Sequence, residues 1–204
     1  MSEDQPKESL SIWARRKADP ARHWVARLFV RMGISANALT VTGLVLAIIS
    51  GYLAARGMFF WAALVLLFGG ALDGLDGAVA RESGKVTRLG ALFDSSLDRY
   101  GESAILVGLM YYLSIQGDHL SILVAAAALI GSIMVSYVRA RSEGLGIDNK
   151  VGLLTRLERV AIILLALLTG KIVIGLWIIA IGANYTVIQR LVEAARILKA
   201  EQES

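Results

Sequence analysis

Four aspartates have the spacing needed to form a site in this chain of 204 residues. Asp73 and Asp76 are three residues apart and Asp94 and Asp98 are four apart, so each pair shares one face of a helix. The polar segment RESGKVTR between the pairs contains Gly84 and predicts a turn. Asp76 lies five residues before this turn begins, and Asp94 lies six residues after it ends. A helical hairpin therefore brings the two pairs to a similar depth, facing each other.

Four carboxylates this close together need positive compensation. One aspartate at the centre of a membrane-spanning helix costs about 2.5–3.5 kcal/mol on insertion scales, and neighbouring carboxylates also repel one another. The chain has no cysteine, and neither of its two histidines is near the aspartates. Oxygen ligands alone suit hard cations such as Mg²⁺, Mn²⁺ or Ca²⁺, and two such ions can clamp a phosphate. The sequence therefore predicts a divalent-metal site.

Three glycines lie in the same segment, although glycine costs about 1 kcal/mol relative to alanine inside a helix. Gly74, Gly77 and Gly90 could allow close packing between membrane helices, as small residues often do. They could instead leave room for a ligand, with Gly77 and Ala80 clearing space for a phosphate-bearing group beside the metals. The adjacent aspartates favour the second interpretation.

The elements that hold these residues are predicted to be membrane-spanning helices. The chain is 56% hydrophobic with a mean hydropathy of +0.61, and its apolar residues form blocks near the ~20 residues needed to cross a bilayer. An all-α integral membrane fold follows, because these blocks lack the alternation of barrel strands. Short connectors make sequential neighbours antiparallel. The six predicted spans cover residues 38–55, 58–80, 90–113, 120–138, 153–169 and 172–188.

The basic residues predict the orientation. Eighteen lie in the N-terminal arm, the second and fourth connectors and the C-terminal end, whereas only Arg56 and Lys171 lie in connectors on the other side. The positive-inside rule then places both termini and the aspartates in or near the cytoplasm. The expected layout is a cytoplasmic arm over 1–37, a membrane domain over 38–190 and a cytoplasmic tail over 191–204.

The arm ends in a segment typical of an interfacial helix. Trp24, Leu28 and Met32 repeat every four residues among arginines, which suits a helix lying on an anionic membrane surface. The same segment could instead pack on the protein's own cytoplasmic face. The first residues are polar and lack the apolar core of a signal peptide, so we expect the N-terminus to be retained.

The aspartates belong to a longer pattern, Asp73-x2-Asp76-Gly77-x2-Ala80-Arg81-x8-Gly90-x3-Asp94-x3-Asp98. Its eight fixed positions across 26 residues resemble, without gap or substitution, the signature of the CDP-alcohol phosphotransferase family. The resemblance implies a homodimeric membrane enzyme that transfers a phosphatidyl-type group from a CDP-linked lipid to an alcohol and releases CMP. The lipid would be CDP-diacylglycerol or an ether analogue.

The resemblance also implies roles for single residues. Two Mg²⁺ or Mn²⁺ ions would be bound by Asp73, Asp76 and Asp94, and Asp98 would complete the metal site and act as general base. The CDP-lipid pocket would be bounded by Asp73, Gly77 and Arg81. Many members carry Pro-Asn-x-x-Thr before the first helix; this chain has Ala36-Asn37-Ala38-Leu39-Thr40, which lacks the proline and leaves Asn37 and Thr40 as nucleotide-binding candidates.

Arginines at the cytoplasmic ends of the later helices bear on the acceptor. Topology explains part of this charge, but guanidinium groups gathered beside a metal site predict an anionic alcohol, because guanidinium matches phosphate in two-point contacts. The arginines concerned are Arg139, Arg141, Arg156, Arg159 and Arg190.

Two segments around these arginines resemble prokaryotic phosphatidylinositol-phosphate synthases, which carry Ser-Tyr-x-Lys-Ala-Arg-x-Glu and Glu-Arg-Pro-Glu-Arg. This chain has Ser136-Tyr137-Val138-Arg139-Ala140-Arg141-Ser142-Glu143 and Arg156-Leu157-Glu158-Arg159, with Arg139 for the lysine and Leu157 for the proline. The resemblance implies that Arg139, Arg159 and Arg190 hold the phosphate of inositol 1-phosphate.

Two alternatives remain open at this point. The acceptor could be glycerol 3-phosphate, as in phosphatidylglycerophosphate synthases, although the extended Arg-Glu-Phe pattern of that branch is missing. A divalent-metal transporter would also use intramembrane aspartates, but it predicts acidic residues through the full membrane depth. Here the outer side has only Asp118, in a connector. The expected partners are the CDP-linked lipid, a small phosphorylated alcohol, the bilayer and a second copy of the chain, without nucleic acid.

Overall fold

Residues 22–149 and 151–203 are described by a computed structural model, and they form seven α-helices and no β-strand. The first, α1, covers residues 22–31. The others are α2 (Ala36–Ala55), α3 (Phe59–Glu82), α4 (Arg88–Ile115), α5 (His119–Glu143), α6 (Arg156–Thr169) and α7 (Ile172–Glu203). The predicted all-α fold is confirmed. The expected retention of the N-terminus and most of the predicted 1–37 arm concern residues outside this range.

Four of the described helices are long and apolar enough to cross a membrane: α2, α3, α5 and residues Ile172–Ala200 of α7. Helix α4 has 28 residues, but its stretch from Asp94 to Glu102 carries four charged side chains, Asp94, Asp98, Arg99 and Glu102. Helix α6 has only 14 residues, fewer than the ~20 that a straight span needs. The structure thus supports four of the six predicted spans by length and composition.

Helix ends differ from the predicted span limits because hydropathy marks the apolar part of a helix and not its termini. Helix α7 continues to Glu203, past the predicted span end at residue 188, since the segment after Arg190 consists of good helix formers without glycine or proline. Helix α6 begins later than residue 153, at Arg156, where Thr155 and Glu158 form a capping box.

Helix α5 begins immediately after its N-cap residue, Asp118. The carboxylate of Asp118 accepts a hydrogen bond of 3.1 Å from the backbone N–H of Ser121. Hydrogen bonds from Ser121 lower the pKa of the Asp118 carboxyl below its usual value. This cap fixes the connector between α4 and α5.

The described residues divide into two compact units. The first comprises the described residues up to Gly43 together with Gly69–Leu97, and the second comprises Leu44–Phe68 and the described residues from Asp98 onward. The first unit has a small core of Ala26, Leu39, Ala78 and Val79. It contains α1, the start of α2, the end of α3 and the start of α4.

Within the first unit, α1 packs on the end of α3. The Arg22 guanidinium donates to the carbonyl of Gly74, and Arg27 Nε lies 3.3 Å from a carboxylate oxygen of Glu82. Trp24 and Met32 remain more than half exposed. Packing on the protein's own surface, one of the two alternatives, is therefore observed for the side of α1 that carries Ala26, Phe29 and Val30, whereas Trp24 and Met32 lie on its exposed side.

The second unit has a larger core, drawn from α2 to α7 and centred on residues such as Leu106, Leu109 and Ile163. Helix α7 packs against α5 and α6. Helices α2 and α4 touch backbone to backbone at two glycines: a Cβ on Gly51 would meet the carbonyl of Ala104, and one on Gly108 would meet the carbonyl of Gly51.

The outer surfaces of both units carry many large apolar side chains. Phe68, Leu123 and Ile181 are each about two-thirds exposed, and they are accompanied by many other leucines, isoleucines and aromatic residues. Water-soluble proteins rarely expose apolar surface on this scale. The exterior is that of a membrane protein.

Candidate active site

Three of the four predicted metal ligands meet in the first unit. Asp73 and Asp76 lie near the end of α3, and Asp94 lies in the second turn of α4. One carboxylate oxygen from each residue lies within 4.8 Å of the other two. The hairpin between α3 and α4, with Gly84 at positive φ in its turn, produces this convergence.

The donor chemistry of this cluster fits a divalent cation. Three carboxylates in mutual proximity repel one another unless positive charge lies between them, and oxygen-only ligands suit Mg²⁺ or Mn²⁺. No other such group of acidic or histidine side chains occurs in residues 22–149 and 151–203. The cluster is therefore the candidate metal site of the described chain.

Asp76 is held in place by its neighbours. It is 8% exposed, and its Oδ2 accepts a hydrogen bond of 2.8 Å from the hydroxyl of Thr40. Its Oδ1 accepts from the backbone N–H of Gly77. Thr40 was a candidate for contacting the nucleotide, and in the structure its hydroxyl orients a carboxylate of the metal cluster.

A cleft of about 270 Å³ opens beside Asp76 and Asp94. Its volume is close to the lower end of the range of roughly 300–1,000 Å³ that is usual for small-molecule sites. Asn37, Thr40, Gly77 and Arg81 line it, so the predicted CDP-lipid residues other than Asp73 come together here. Lys85, which was not among the predicted site residues, also lines the cleft. Its position in the turn between the two aspartate pairs was the available signal.

The two glycines of α3 next to the aspartates are not required by packing. A Cβ on Gly74 would meet no atom within 4 Å, and one on Gly77 would meet only Nη1 of Arg81, at 3.5 Å. Since Gly77 lines the cleft, its missing side chain enlarges the space open to a ligand. The ligand interpretation of Gly77 is therefore favoured over close helix packing.

Asp98 lies one helical turn after Asp94 on α4 and belongs to the second unit. There its Oδ1 is 2.6 Å from Nη2 of Arg156, one of the arginines predicted to bind the phosphate of the acceptor alcohol. A second arginine, Arg99, is 3.9 Å from Oδ2. The carboxylate is thus paired with guanidinium groups.

Two other arginines predicted to bind the phosphate of the acceptor alcohol are buried in the second unit. Arg159 is 1% exposed and forms a two-point ion pair with Glu102, with Nε to Oε1 at 2.6 Å and Nη2 to Oε2 at 2.8 Å. Arg190, 2% exposed, donates to the carbonyls of Val135 and Val151 at 2.5 and 2.8 Å.

The remaining predicted arginines are at the surface. Arg139 is half exposed and pairs with Glu143 at 2.9 Å, one helical turn away on α5. Arg141 is exposed. Glu102 was not among the predicted site residues, although its position four residues after Asp98, on the same helix face, was a signal for it.

Comparison with known proteins identifies the arrangement. The sequence model of the CDP-alcohol phosphatidyltransferase family matches residues 33–188. The archaetidylinositol phosphate synthase of Pyrococcus horikoshii is 35% identical over 176 residues, which cover 86% of this chain and 91% of the relative.

Two solved structures of phosphatidylinositol phosphate synthase from Mycobacterium tuberculosis, each 29% identical, have the same fold. The one with CDP-DAG bound has a TM-score of 0.81 and covers 85% of this chain and 92% of that chain. The one in complex with manganese and citrate has a TM-score of 0.80, with coverages of 85% and 88%. The matched signature, the aspartate cluster and these relatives together establish that the chain is a transferase of the CDP-alcohol phosphatidyltransferase family.

Proposed function

We propose that the protein transfers a phosphatidyl-type group from a CDP-linked lipid to inositol 1-phosphate and releases CMP. The observation that carries the proposal is the cluster of Asp73, Asp76 and Asp94 beside a cleft lined by residues of the family signature. Two relatives support the choice of acceptor by their names: an archaetidylinositol phosphate synthase from an archaeon and a phosphatidylinositol phosphate synthase from a bacterium.

The metal is assigned to the aspartates. Asp73, Asp76, Asp94 and Asp98 hold two Mg²⁺ or Mn²⁺ ions in this proposal, and the relative solved with manganese supports a divalent ion. When bound, the ions supply positive charge that neutralises the phosphoryl oxygens of the transferring group. Thr40 contributes by fixing the direction of the Asp76 carboxylate.

The nucleotide end of the CDP-lipid is assigned to the cleft. Gly77 gives it room, and the cationic side chains of Arg81 and Lys85 on the wall suit its diphosphate. Asp73 and Asn37 complete the proposed CDP-lipid set, with Asn37 on the wall able to hydrogen-bond a base or sugar.

Asp98 is the proposed general base. It takes the proton from the acceptor hydroxyl, whose oxygen forms a bond to the phosphorus that carries the lipid. The bond from that phosphorus to the oxygen of the CMP phosphate breaks, and CMP leaves with the bonding electron pair. The acceptor's own phosphate is assigned to Arg139, Arg159 and Arg190, with Arg141 and Arg156 as additional cationic groups.

The proposed setting is a six-helix membrane domain over residues 38–190, in which α4 and α6 also span the bilayer. The basic residues support an orientation with the arm over 1–37, the tail over 191–204 and the active site on the cytoplasmic side. The exposed apolar side of α1 then lies on the membrane surface. The protein functions as a homodimer in this proposal.

The decisive experiment is an assay of CMP release by the purified protein with Mg²⁺ or Mn²⁺ and a CDP-linked lipid. Inositol 1-phosphate, inositol and glycerol 3-phosphate are supplied separately as acceptors. We expect inositol 1-phosphate to give the highest kcat/KM and inositol, which has no phosphate for the arginines, to give little product. Preference for glycerol 3-phosphate would contradict the assigned acceptor. Family membership already opposes the transporter alternative.

A further inference from the structure

The ion pair between Glu102 and Arg159 is buried on both sides. Glu102 is 6% exposed and Arg159 is 1% exposed. Their two hydrogen bonds, of 2.6 and 2.8 Å, run side by side between carboxylate and guanidinium. A third bond, of 3.3 Å, joins Nη1 of Arg159 to the carbonyl of Leu154. Together these contacts fix the plane of the guanidinium as well as its position.

Stability alone is a weak reason for such a pair. Removing two charges from water costs free energy that their attraction often fails to recover, and apolar residues of similar volume commonly serve as well or better. The pair joins the middle of α4 to the first turn of α6 within a unit that already has an extensive apolar core. A functional role for the exact direction of the guanidinium accounts better for its presence.

The chemistry of arginine limits what that role can be. A guanidinium has five N–H groups, and the contacts with Glu102 and Leu154 use three of them. The other two, one on each Nη, have no acceptor among the hydrogen bonds of the described residues. Their geometry matches paired oxygens such as those of a phosphate, and a ligand that uses them must reach a side chain that is 1% exposed.

We propose that Glu102 is a positioning residue for the acceptor: its carboxylate holds the Arg159 guanidinium so that the two remaining N–H groups grip the acceptor's phosphate. This rests on the proposed function, in which Arg159 contacts that phosphate. Glu102 also neutralises the charge of Arg159, so the contribution of Arg159 is directional more than coulombic. Arg190 differs in that its guanidinium donates to two uncharged backbone carbonyls.

The test is steady-state kinetics of Glu102→Gln with both substrates varied, together with thermal unfolding in detergent. The amide keeps the shape but directs an N–H group at the guanidinium, so the two-point contact is lost. Because charge-assisted hydrogen bonds to the phosphate then weaken, we expect acceptor KM to rise about tenfold or more. The KM for the CDP-linked lipid should change less than about twofold, since its assigned residues lie elsewhere.

A second variant covers the case in which Glu102→Gln does not fold. Glu102→Asp keeps the charge and draws the carboxylate back by one methylene, so acceptor KM should lie between those of the wild type and Glu102→Gln. Ser50→Ala is the matched control, because it also removes a hydrogen bond made by a buried polar side chain. The Ser50 hydroxyl is fully buried in the same unit and donates to the carbonyl of Ala62. It should lower the unfolding temperature and leave both KM values unchanged.

The double variant Glu102→Gln/Arg159→Gln separates positioning from stability. Removing both charges should recover stability lost in the single variants, while acceptor KM stays high because the phosphate ligand is gone. If acceptor KM of the double variant returns to the wild-type value, the pair is structural and the inference is wrong. Glu102→Asp with a lowered unfolding temperature and wild-type acceptor KM contradicts the inference as well.

Failure of the proposed function would look different. In that case the wild-type protein would release no CMP in response to inositol 1-phosphate, before any variant is made. A wild type that uses inositol 1-phosphate, combined with Arg159→Gln of unchanged acceptor KM, would overturn the inference and leave the proposed reaction intact.

Discussion

At the scale of residues, the carboxylates of α3 and α4 have different partners. Asp73, Asp76 and Asp94 converge on one another, whereas Asp98 and Glu102, further along α4, each face an arginine of α6. Mutual repulsion within the first group favours a bound cation, whereas an arginine offsets the charge of each carboxylate in the second. Neighbouring turns of one helix thus carry acidic residues in two electrostatic settings.

Replacing a residue of the convergent group tests the metal assignment. Asp73→Asn or Asp94→Asn removes an anionic oxygen ligand, and we expect activity to fall by more than about a hundredfold, with membrane insertion unchanged. CMP release at saturating Mg²⁺ and Mn²⁺ is the measurement. Asp118→Asn is the matched control, because asparagine is an equally good N-cap for α5 and this connector residue lies outside the site. Near-normal turnover of both site variants would contradict a two-ion site.

Asp98→Asn tests the general base. A base within reach of the reacting proton contributes about 10²–10⁴-fold to the rate, so kcat should fall by that factor. Binding of the CDP-linked lipid, measured by protection against thermal unfolding, should persist because the cleft residues are unaltered. If that protection disappears together with activity, Asp98 acts chiefly as a metal ligand.

Gly77→Ala tests whether the missing side chain makes room for the nucleotide. Alanine favours a helix over glycine by about 1 kcal/mol, and its Cβ would meet only the flexible Arg81 side chain, so stability should be kept or raised. The added methyl group enters the cleft, and KM for the CDP-linked lipid should therefore rise severalfold. Gly70→Ala, where a Cβ would meet nothing within 4 Å, is the control and should leave both KM values unchanged. A lower unfolding temperature for Gly77→Ala with unchanged kinetics would return Gly77 to a packing role.

At the scale of elements, the sequence predicted the helices well and their ends less well. The aspartate cluster was predictable because the spacing is local to one hairpin, and helix periodicity converts such spacing directly into geometry. The partners of Arg156 and Arg159 were not, since Asp98 and Glu102 lie 58 and 57 residues away, at separations for which periodicity gives no information. Hydropathy likewise located the apolar part of α7 and could not reveal that the helix continues to Glu203.

The close approach of α2 and α4 gives a prediction for the elements. Gly108→Ala places a methyl group where the carbonyl of Gly51 lies, so the helices must separate. Overpacking of this kind costs about 1–3 kcal/mol, and the unfolding temperature in detergent should fall by several degrees. Gly70→Ala again serves as control, because it changes the same residue type in a helix with open space around it. An unfolding temperature for Gly108→Ala at or above that of the wild type would show that the two backbones are not in contact.

At the scale of the whole molecule, the apolar exterior and the uneven distribution of charge determine how the protein sits in a bilayer. Four helices of the described residues have the length and composition of membrane spans, and large apolar side chains cover the outer surfaces. Two of the other helices, α4 and α6, carry charges that the structure pairs internally: Asp98 with Arg156, and Glu102 with Arg159. Pairing lowers the free-energy cost of placing these charges within a membrane. Composition counts the charged residues of α4 but contains no information on their partners, so it does not identify α4 as a span.

The proposed orientation can be tested directly because the chain has no cysteine. Single cysteines introduced at Gln116 and Gln202, both exposed, report on the α4–α5 connector and the end of α7. If the basic residues set the topology, a membrane-impermeant maleimide applied to intact cells should label Gln116→Cys and leave Gln202→Cys unlabelled until the cells are lysed. Both variants lie far in sequence from the assigned site residues, so retained CMP release verifies that each labelled protein is folded. Labelling of Gln202→Cys in intact cells would show that the orientation is the opposite of the proposed one. The aspartate cluster would then lie on the outer side, where cytoplasmic CDP-linked substrate could not reach it.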